Sequence, residues 1–265
     1  MMIEKDNFMV KQSNPYLRWC IYSTQGDRDD QQDSAGYLIG DKASLVVICD
    51  GMGGHRGGKL ASSIGIKSMI SAFEGEEEKE NVQDLFLQTV KEIDQTISDL
   101  KDEEDKPLQA GTTMVSVYIC ERTISWVSVG DSRLYLVRGE EMVQITKDHT
   151  YALALRENQE AGLISDSFYA QQYSSADALI SFLGVDGLPV IDSNVEPFSL
   201  RSGDRLLLMS DGLYKYVSDE SMHRILARCK DAEEAVRAMD CEAERGAEKK
   251  RILRDNMTVA IIEII

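Results

Sequence analysis

Hydrophobic positions along the chain follow two kinds of pattern. Eight short runs rich in Val, Ile, Leu or aromatic residues, each bounded by Gly, Asp or Ser, predict β-strands. Between residues 81 and 100 the apolar positions instead recur with the 3.6-residue period of one helix face. The strands are expected at residues 18–24, 36–39, 45–49, 113–120, 124–129, 134–138, 205–209 and 257–265, and further helices at 59–73, 148–161 and 218–250.

The order of these elements predicts an α+β fold with antiparallel sheets. Strand-rich blocks flank two consecutive helices, and short turns join neighbouring strands, which argues against a parallel βαβ array. The polar run at 74–80 is interpreted as a loop between helices. Because no repeat or linker is evident, the 265 residues are expected to form a single domain with an N-terminal extension at 1–15.

Charge and cysteine content narrow the expected partners and compartment. The chain has 46 acidic and 29 basic residues and a net charge of −17, so neither nucleic acid nor an anionic membrane surface is an expected partner. Five cysteines without a CxxC pair argue against a disulfide framework or a zinc site. We find neither a signal peptide nor a run of about 18 apolar residues, and expect a cytoplasmic protein.

Aspartates stand at the ends of the predicted strands. Three directly follow a strand and two directly precede one, namely Asp50, Asp131, Asp211, Asp33 and Asp255. A turn at 41–44 would place Asp33 opposite Asp50, and facing carboxylates are destabilising unless a cation lies between them. Asp-Gly after a strand is also a common turn. Five such aspartates nevertheless favour a site for Mg²⁺ or Mn²⁺, which prefer oxygen ligands.

A glycine-rich segment between a strand and a helix has two interpretations. Residues 53–59, GGHRGGK, satisfy the GxxxxGK pattern of a phosphate-binding loop, which would bind a nucleotide through Lys59. Leu60 follows, however, where that motif needs a hydroxyl, and Asp50 would crowd a triphosphate. The other interpretation is that the glycines bring the backbone close to a metal ion, with the Gly51 carbonyl as a ligand.

Eight short motifs occur in a diagnostic order. They are GDRDDQQD from Gly26, DGMGGH from Asp50, GTTM from Gly111, VGDSR around Asp131, KDHT from Lys147, FLG ending at Gly184, SDGL from Ser210 and DNMT from Asp255. This series resembles the bacterial branch of the metal-dependent Ser/Thr protein phosphatases, the PPM or protein phosphatase 2C type, over residues 16–265. The resemblance implies a monomeric four-layer α-β-β-α sandwich, with two antiparallel sheets flanked by antiparallel helix pairs.

The same resemblance implies a metal-dependent hydrolase acting on phosphoserine and phosphothreonine in proteins. By correspondence, Asp50 would bridge two Mn²⁺ or Mg²⁺ ions, and the Gly51 carbonyl would bind one of them. Asp211 and Asp255 would complete the other. Asp131 corresponds to the ligand of a weaker third ion.

Three further residues are implied in substrate and water binding. Asp33, helped by Gln32, would hold metal-bound waters, and Arg28 would clamp the substrate phosphate. Two ions about 4 Å apart lower the pKa of a bridging water and supply a hydroxide for in-line attack. A planar guanidinium suits two phosphate oxygens, although a surface ion pair with Asp27, Asp29 or Asp30 is the alternative for Arg28.

Several positions depart from the family pattern. Met52 stands where eukaryotic members carry a proposed general acid, and His55 and His149 are candidates for that role by proximity, with a structural role as the alternative for each. Lys59 stands where bacterial relatives commonly have Glu. Lys215 stands where many relatives have an Asp that binds the third ion, so its charge is expected to replace that ion or weaken its site.

Residues 148–192 correspond to a flap beside the active site. Tyr169, Gln171, Gln172 and Tyr173 are the flap residues expected either to touch substrate or to serve packing. The expected partners are phosphoproteins, by analogy those of a bacterial Ser/Thr kinase. A binding module that keeps the fold without the activity is the alternative, suggested by Gln32, Lys59 and Lys215.

Overall fold

Two antiparallel sheets lie face to face in the computed structural model, which describes residues 1–3, 6–53, 57–75, 81–173 and 176–265. The first sheet has the order β1 (Phe8–Ser13), β2 (Leu17–Thr24), β14 (Met257–Ile264), β13 (Arg205–Met209), β9 (Arg133–Arg138) and β10 (Glu141–Gln144). The second has the order β11 (Asp192–Ser193), β8 (Thr123–Val129), β7 (Met114–Cys120), β4 (Ala43–Cys49) and β3 (Ser34–Ile39), and β12 (Phe198–Ser199) also pairs with β8. A separate short pair joins β5 (Gly51–Met52) to β6 (Gly111–Thr112).

Helices cover the outer face of each sheet. The second sheet packs against α1 (Gly57–Phe73) and α2 (Val82–Ser98). The first packs against α5 (Asp211–Tyr214), α6 (Asp219–Arg228) and α7 (Ala232–Lys250). The segment between β10 and β11 carries α3 (Tyr151–Glu160) and α4 (Asp166–Gln172). The predicted α+β class and four-layer α-β-β-α sandwich are confirmed.

The protein has three apolar layers, one between the sheets and one between each sheet and its helices. They explain why the sequences of the strands are nearly continuous hydrophobic runs. On β2, Trp19 and Ile21 lie between the sheets, whereas Cys20 lies under the α5–α7 layer. On β4, Val46 lies between the sheets and Val47 packs under α1 and α2. Because both faces of a central strand are buried, the alternation of polar and apolar residues is lost from its sequence.

The element boundaries differ from the sequence prediction in a few places. The helix predicted at 218–250 is two helices, since Cys229 is extended and Asp231 caps the second by accepting the Glu234 N–H at 2.9 Å. The segment assigned to an N-terminal extension contains β1, which pairs with β2 at the sheet edge. The strands of two residues, together with β10 and α4, were not predicted. Elements this short do not show a periodic pattern of apolar residues. In the described part of the chain, no helix is long and apolar enough to cross a membrane.

Candidate active site

The strand ends that carry the aspartates meet at one end of the sandwich. In the second sheet, β3 pairs with β4 so that Ser34 faces Cys49, which places Asp33 and Asp50 next to each other just beyond the pair. This is the register that a turn at 41–44 predicts. In the first sheet, β13 ends before Asp211, and β14 begins just after Asp255. The antiparallel pairing of these strands brings the latter two aspartates to the same end.

Two adjoining cavities open at this end. The smaller, of about 330 Å³, is lined by Asp50, Asp211 and Asp255 together with Gly51 and Arg28, and Gln32 and Met52 also line it. The larger, of about 840 Å³, lies beside α3 and is lined by Asp50, Asp131 and Asp211. Asp50 and Asp211 line both, so the two cavities share a wall of carboxylates.

Asp33 lies buried behind this wall. It is 6% exposed, and its Oδ2 accepts the Ser210 hydroxyl at 2.7 Å. Its Oδ1 is buried without a hydrogen-bond partner. Burial, with smaller contributions from the Asp211 and Asp255 charges, raises the pKa of Asp33 to about 7. A buried carboxylate oxygen without a donor suits a water or a cation held by its neighbours.

Burial and mutual repulsion also raise the pKa values of the other carboxylates. Burial, with the charge of Asp33, raises the pKa of Asp50 well above its usual range. Burial, with the charge of Asp211, raises the pKa of Asp131 to about 6. The pKa of Asp211 is raised by burial as well, although Lys215 opposes the shift. Such a group of hard oxygen donors fits Mn²⁺ or Mg²⁺, which would compensate the repulsion.

The carboxylates are engaged with cations of the chain in this structure. Lys215 Nζ donates to Asp211 Oδ2, and Arg28 Nη2 donates to Asp255 Oδ2 at 2.7 Å. Among the described residues, no three carboxylate, imidazole or thiolate groups converge as ligands of one ion. The carboxylate oxygens nevertheless fit metal ions, because they are hard donors and line two adjoining cavities.

Arg28 is carried by a loop that Asn256 holds in place. The Asn256 amide donates to the Gln25 and Asp30 carbonyls at 2.8 and 3.0 Å, and its Oδ1 accepts the Gln32 N–H at 2.9 Å. These bonds fix the loop against the start of β14. The ion pair of Arg28 is with Asp255, across the cavity, and not with the neighbouring aspartates that the alternative interpretation named.

Two glycines allow the backbone to close around the site. A Cβ on Gly51 would lie 2.2 Å from the Gly58 carbonyl oxygen, and one on Gly212 would lie 1.8 Å from the Asn256 carbonyl oxygen. Both contacts are shorter than a Cβ can tolerate. The glycine after Asp50 thus permits packing against α1, and the glycine after Asp211 permits packing of α5 against the start of β14.

The remaining sequence candidates take other positions. His149 is fully buried, its Nδ1 accepts the Gly130 N–H at 3.1 Å, and burial lowers its pKa to about 4, which fits the structural alternative. His55 lies outside the described residues. Lys59 Nζ donates to Asp6 at 2.9 Å on the exposed surface. In the flap, Tyr173 lines the larger cavity and Tyr169 stacks against its ring at 5.6 Å.

Sequence reasoning missed a network around Asp131. The Tyr214 hydroxyl donates to Asp131 Oδ2 at 2.9 Å, and the Arg133 guanidinium lies 3.6 Å from the centre of the Tyr214 ring. Arg133 also binds both oxygens of Asp148, at 3.0 and 2.7 Å. Arg133 and Asp148 lie within quoted motifs, and Tyr214 directly follows SDGL. Only the fold, however, brings the three together.

Comparison with known proteins decides the family. A family model described as Protein phosphatase 2C matches residues 23–244. The chain belongs to this family. It is 30% identical over 241 residues to the serine/threonine phosphatase stp of Listeria innocua, covering 89% of this chain and 91% of the relative. It is thus a Ser/Thr protein phosphatase of the 2C type, which confirms the expected family and enzyme class.

Solved structures agree with this assignment. The serine/threonine phosphatase of S. agalactiae matches with a TM-score of 0.79 and 25% identity, covering 94% of this chain and 100% of that one. The Mycobacterium tuberculosis phosphatase PstP/Ppp matches with a TM-score of 0.74 and 28% identity, covering 94% and 98%. The catalytic domain of PstP has also been solved in complex with two manganese ions, and matches with a TM-score of 0.72, 28% identity and coverage of 94% and 99%.

Proposed function

We propose that this phosphatase hydrolyses phosphoserine and phosphothreonine in proteins at the smaller cavity, with two Mn²⁺ or Mg²⁺ ions as cofactors. The observation that carries the proposal is the carboxylate wall formed by Asp50, Asp211 and Asp255, with the unpartnered oxygen of Asp33 buried behind it. The manganese complex of PstP supports the choice and number of ions.

Each carboxylate has a role that its position supports. Asp50 lines both cavities and is the proposed bridging ligand, with the Gly51 carbonyl beside it. Asp211 and Asp255 are the proposed further ligands. When bound, the ions would supply an activated water and neutralise charge on the phosphoryl group. Asp33, with Gln32 at the cavity wall, would accept hydrogen bonds from water and so orient it.

Arg28 is the proposed phosphate clamp. Its side chain is about half exposed and lies at the cavity wall, so its donors can reach a phosphate that enters from solvent. On substrate binding the guanidinium would exchange one Asp255 oxygen for phosphate oxygens, which it can bind in pairs. The Asn256 bonds to the loop would hold Arg28 in place for this exchange.

The proposed setting is a bacterial cytoplasm, with a Ser/Thr kinase supplying the phosphoproteins and the enzyme acting as a monomer. All five cysteines are free, and Cys20 and Cys49 are buried, as suits a reducing compartment. The bacterial phosphatases that the chain matches support the source of the substrates. The monomer follows from the family resemblance.

Phosphate release from a phosphothreonine peptide tests the function. We expect turnover with Mn²⁺, none with excess EDTA, and a loss on the order of a hundredfold or more in Asp50→Asn, since a metal ligand supplies several kcal/mol of transition-state stabilisation. Arg28→Ala should raise KM roughly tenfold or more through loss of a charge-assisted pair of bonds.

Asp99→Asn and Arg224→Ala are the matched controls, because both side chains are exposed away from the cavities. Both should retain wild-type turnover. Turnover that survives EDTA, or that is unchanged in Asp50→Asn, would refute the metal mechanism. A folded wild-type protein without turnover at any Mn²⁺ concentration would instead favour the phosphoprotein-binding module.

A further inference from the structure

The larger cavity contains a cation that belongs to the chain itself. Lys215 directly follows α5, one helical turn after Asp211, and its Nζ donates to Asp211 Oδ2. Its side chain is 48% exposed and lines the cavity together with Asp131 and Asp211. The ammonium therefore lies in the larger cavity against Asp211, which lines both cavities.

Asp131 faces the same cavity from the other sheet. It follows β8, and its Oδ2 accepts the Tyr214 hydroxyl at 2.9 Å. Tyr214 precedes Lys215 in the chain, so one short segment contacts Asp131 through a hydroxyl and Asp211 through an ammonium. The Arg133 guanidinium, 3.6 Å from the centre of the Tyr214 ring, holds this tyrosine in position.

Two other cations near the site bind other carboxylates. Arg133 binds both oxygens of Asp148, and Arg28 binds Asp255 in the smaller cavity. Lys147 and Arg156 also line the larger cavity, but the ammonium of Lys215 contacts Asp211, and Lys215 lines this cavity together with Asp131.

We propose that Lys215 is a built-in counterion for Asp131 and Asp211, so that the site binds two metal ions and no third ion on the Asp131 side. The ammonium binds Oδ2 of Asp211, so Oδ1 would be the oxygen that binds an ion of the two-ion centre. A third divalent ion in contact with Asp131 would lie beside the ammonium and be repelled. This inference rests on the two-ion site proposed above.

Counting bound Mn²⁺ tests it without relying on activity. Equilibrium dialysis followed by metal analysis should give two ions per chain for the wild type. Lys215→Asp removes the ammonium and adds a carboxylate, and should bind a third ion, more weakly than the first two. Adding Asp131→Asn to that variant should return the count to two. Lys147→Asp makes the same charge change at another residue of the larger cavity and should also bind two ions.

The outcomes separate this inference from the proposed function. Three ions in the wild type, or no extra ion in Lys215→Asp, would overturn the counterion and leave the two-ion phosphatase standing. A third ion bound equally well by Lys147→Asp would also overturn the counterion role of Lys215. The added negative charge anywhere in the cavity would then be enough to explain the extra ion. A folded wild type that binds no Mn²⁺ and has no turnover would overturn both. Circular dichroism of each variant establishes that it is folded.

Discussion

At the scale of single residues, two buried aspartates show how surroundings decide the role of a side chain. Asp94 and Asp33 are 4% and 6% exposed. The carboxylate of Asp94 accepts three backbone N–H groups at 2.7 to 3.0 Å, so its charge is satisfied within the fold. Asp33 accepts one hydroxyl and keeps an oxygen without a donor. The first residue stabilises the structure, and the second has capacity left for a ligand or water.

His149 predicts how stability depends on pH. Because burial lowers its pKa from 6.5 to about 4, the unfolded chain takes up a proton at a higher pH than the folded protein does. The contribution of His149 to the free energy of unfolding should therefore fall as pH decreases from about 6.5 towards 4, by about 2 kcal/mol between pH 7 and pH 5, whereas the raised pKa values of Asp33 and Asp131 act in the opposite direction. Urea unfolding at these two pH values, without divalent ions, measures this contribution when the wild type is compared with a variant that lacks the histidine.

His149→Asn isolates this contribution, since its Oδ1 can still accept the Gly130 N–H. Between pH 7 and pH 5, the change in the free energy of unfolding of the variant should be about 2 kcal/mol more favourable to the folded state than that of the wild type. The carboxylates of the site titrate in both proteins and cancel in the comparison. An identical pH dependence in the two proteins would contradict the expected protonation of His149.

At the scale of elements, α2 supports a loop that leads towards the site. Asp94 on α2 accepts the N–H groups of Gly184, Val185 and Gly187. Leu183, just before them, exchanges backbone hydrogen bonds with Thr112 of β6, and β6 pairs with β5, which contains Gly51. A single helix position thus connects the outer helical layer to the backbone beside Asp50.

Asp94→Asn should destabilise the protein by about 1–3 kcal/mol, because an amide group replaces one acceptor oxygen and leaves a backbone N–H of this loop without its charged acceptor. Urea unfolding should show a lower midpoint with an unchanged slope. Asp99→Asn, on the exposed end of the same helix, should change the midpoint little. Equal effects of the two substitutions would show that Asp94 has no special role.

The periodicity of α2 predicts its buried face but not this role. Asp94 follows Ile93 at the edge of the apolar stripe, where a polar residue normally faces solvent. Its three donors come from a segment about ninety residues further along the chain. The break between α6 and α7 was missed because residues 229–231, which separate the two helices, include no Gly or Pro to mark a helix end.

At the scale of the whole molecule, the site joins the two sheets. Asp33 and Asp50 lie at the ends of strands of one sheet, and Asp211 and Asp255 lie at strand ends of the other. Ions bound between them would hold the sheets together at this end. The cost of bringing these carboxylates together is therefore a cost to the stability of the whole fold when no ion is bound.

Manganese should accordingly stabilise the folded protein, by about 3 kcal/mol when its concentration is a hundred times Kd. Asp50→Asn removes one of the buried charges, so in EDTA the variant should unfold at a higher temperature than the wild type. Adding Mn²⁺ should raise the unfolding temperature of the variant by less than it raises that of the wild type. Scanning calorimetry of both proteins in EDTA and in Mn²⁺ measures the two shifts. A variant that is less stable than the wild type in EDTA would contradict this account.

The sequence by itself determined eight of the strands, their antiparallel arrangement, the family and the aspartates at the strand ends. Runs of apolar residues, short turns and ordered motifs depend on residues that are close in the sequence, so they can be recognised without knowing the fold. The tertiary structure alone decided that Arg28 pairs with Asp255, that Lys215 and Tyr214 contact aspartates of different sheets, and that Asp33 keeps a free oxygen. These features depend on burial and on contacts between distant segments, which only the packing of the two sheets creates.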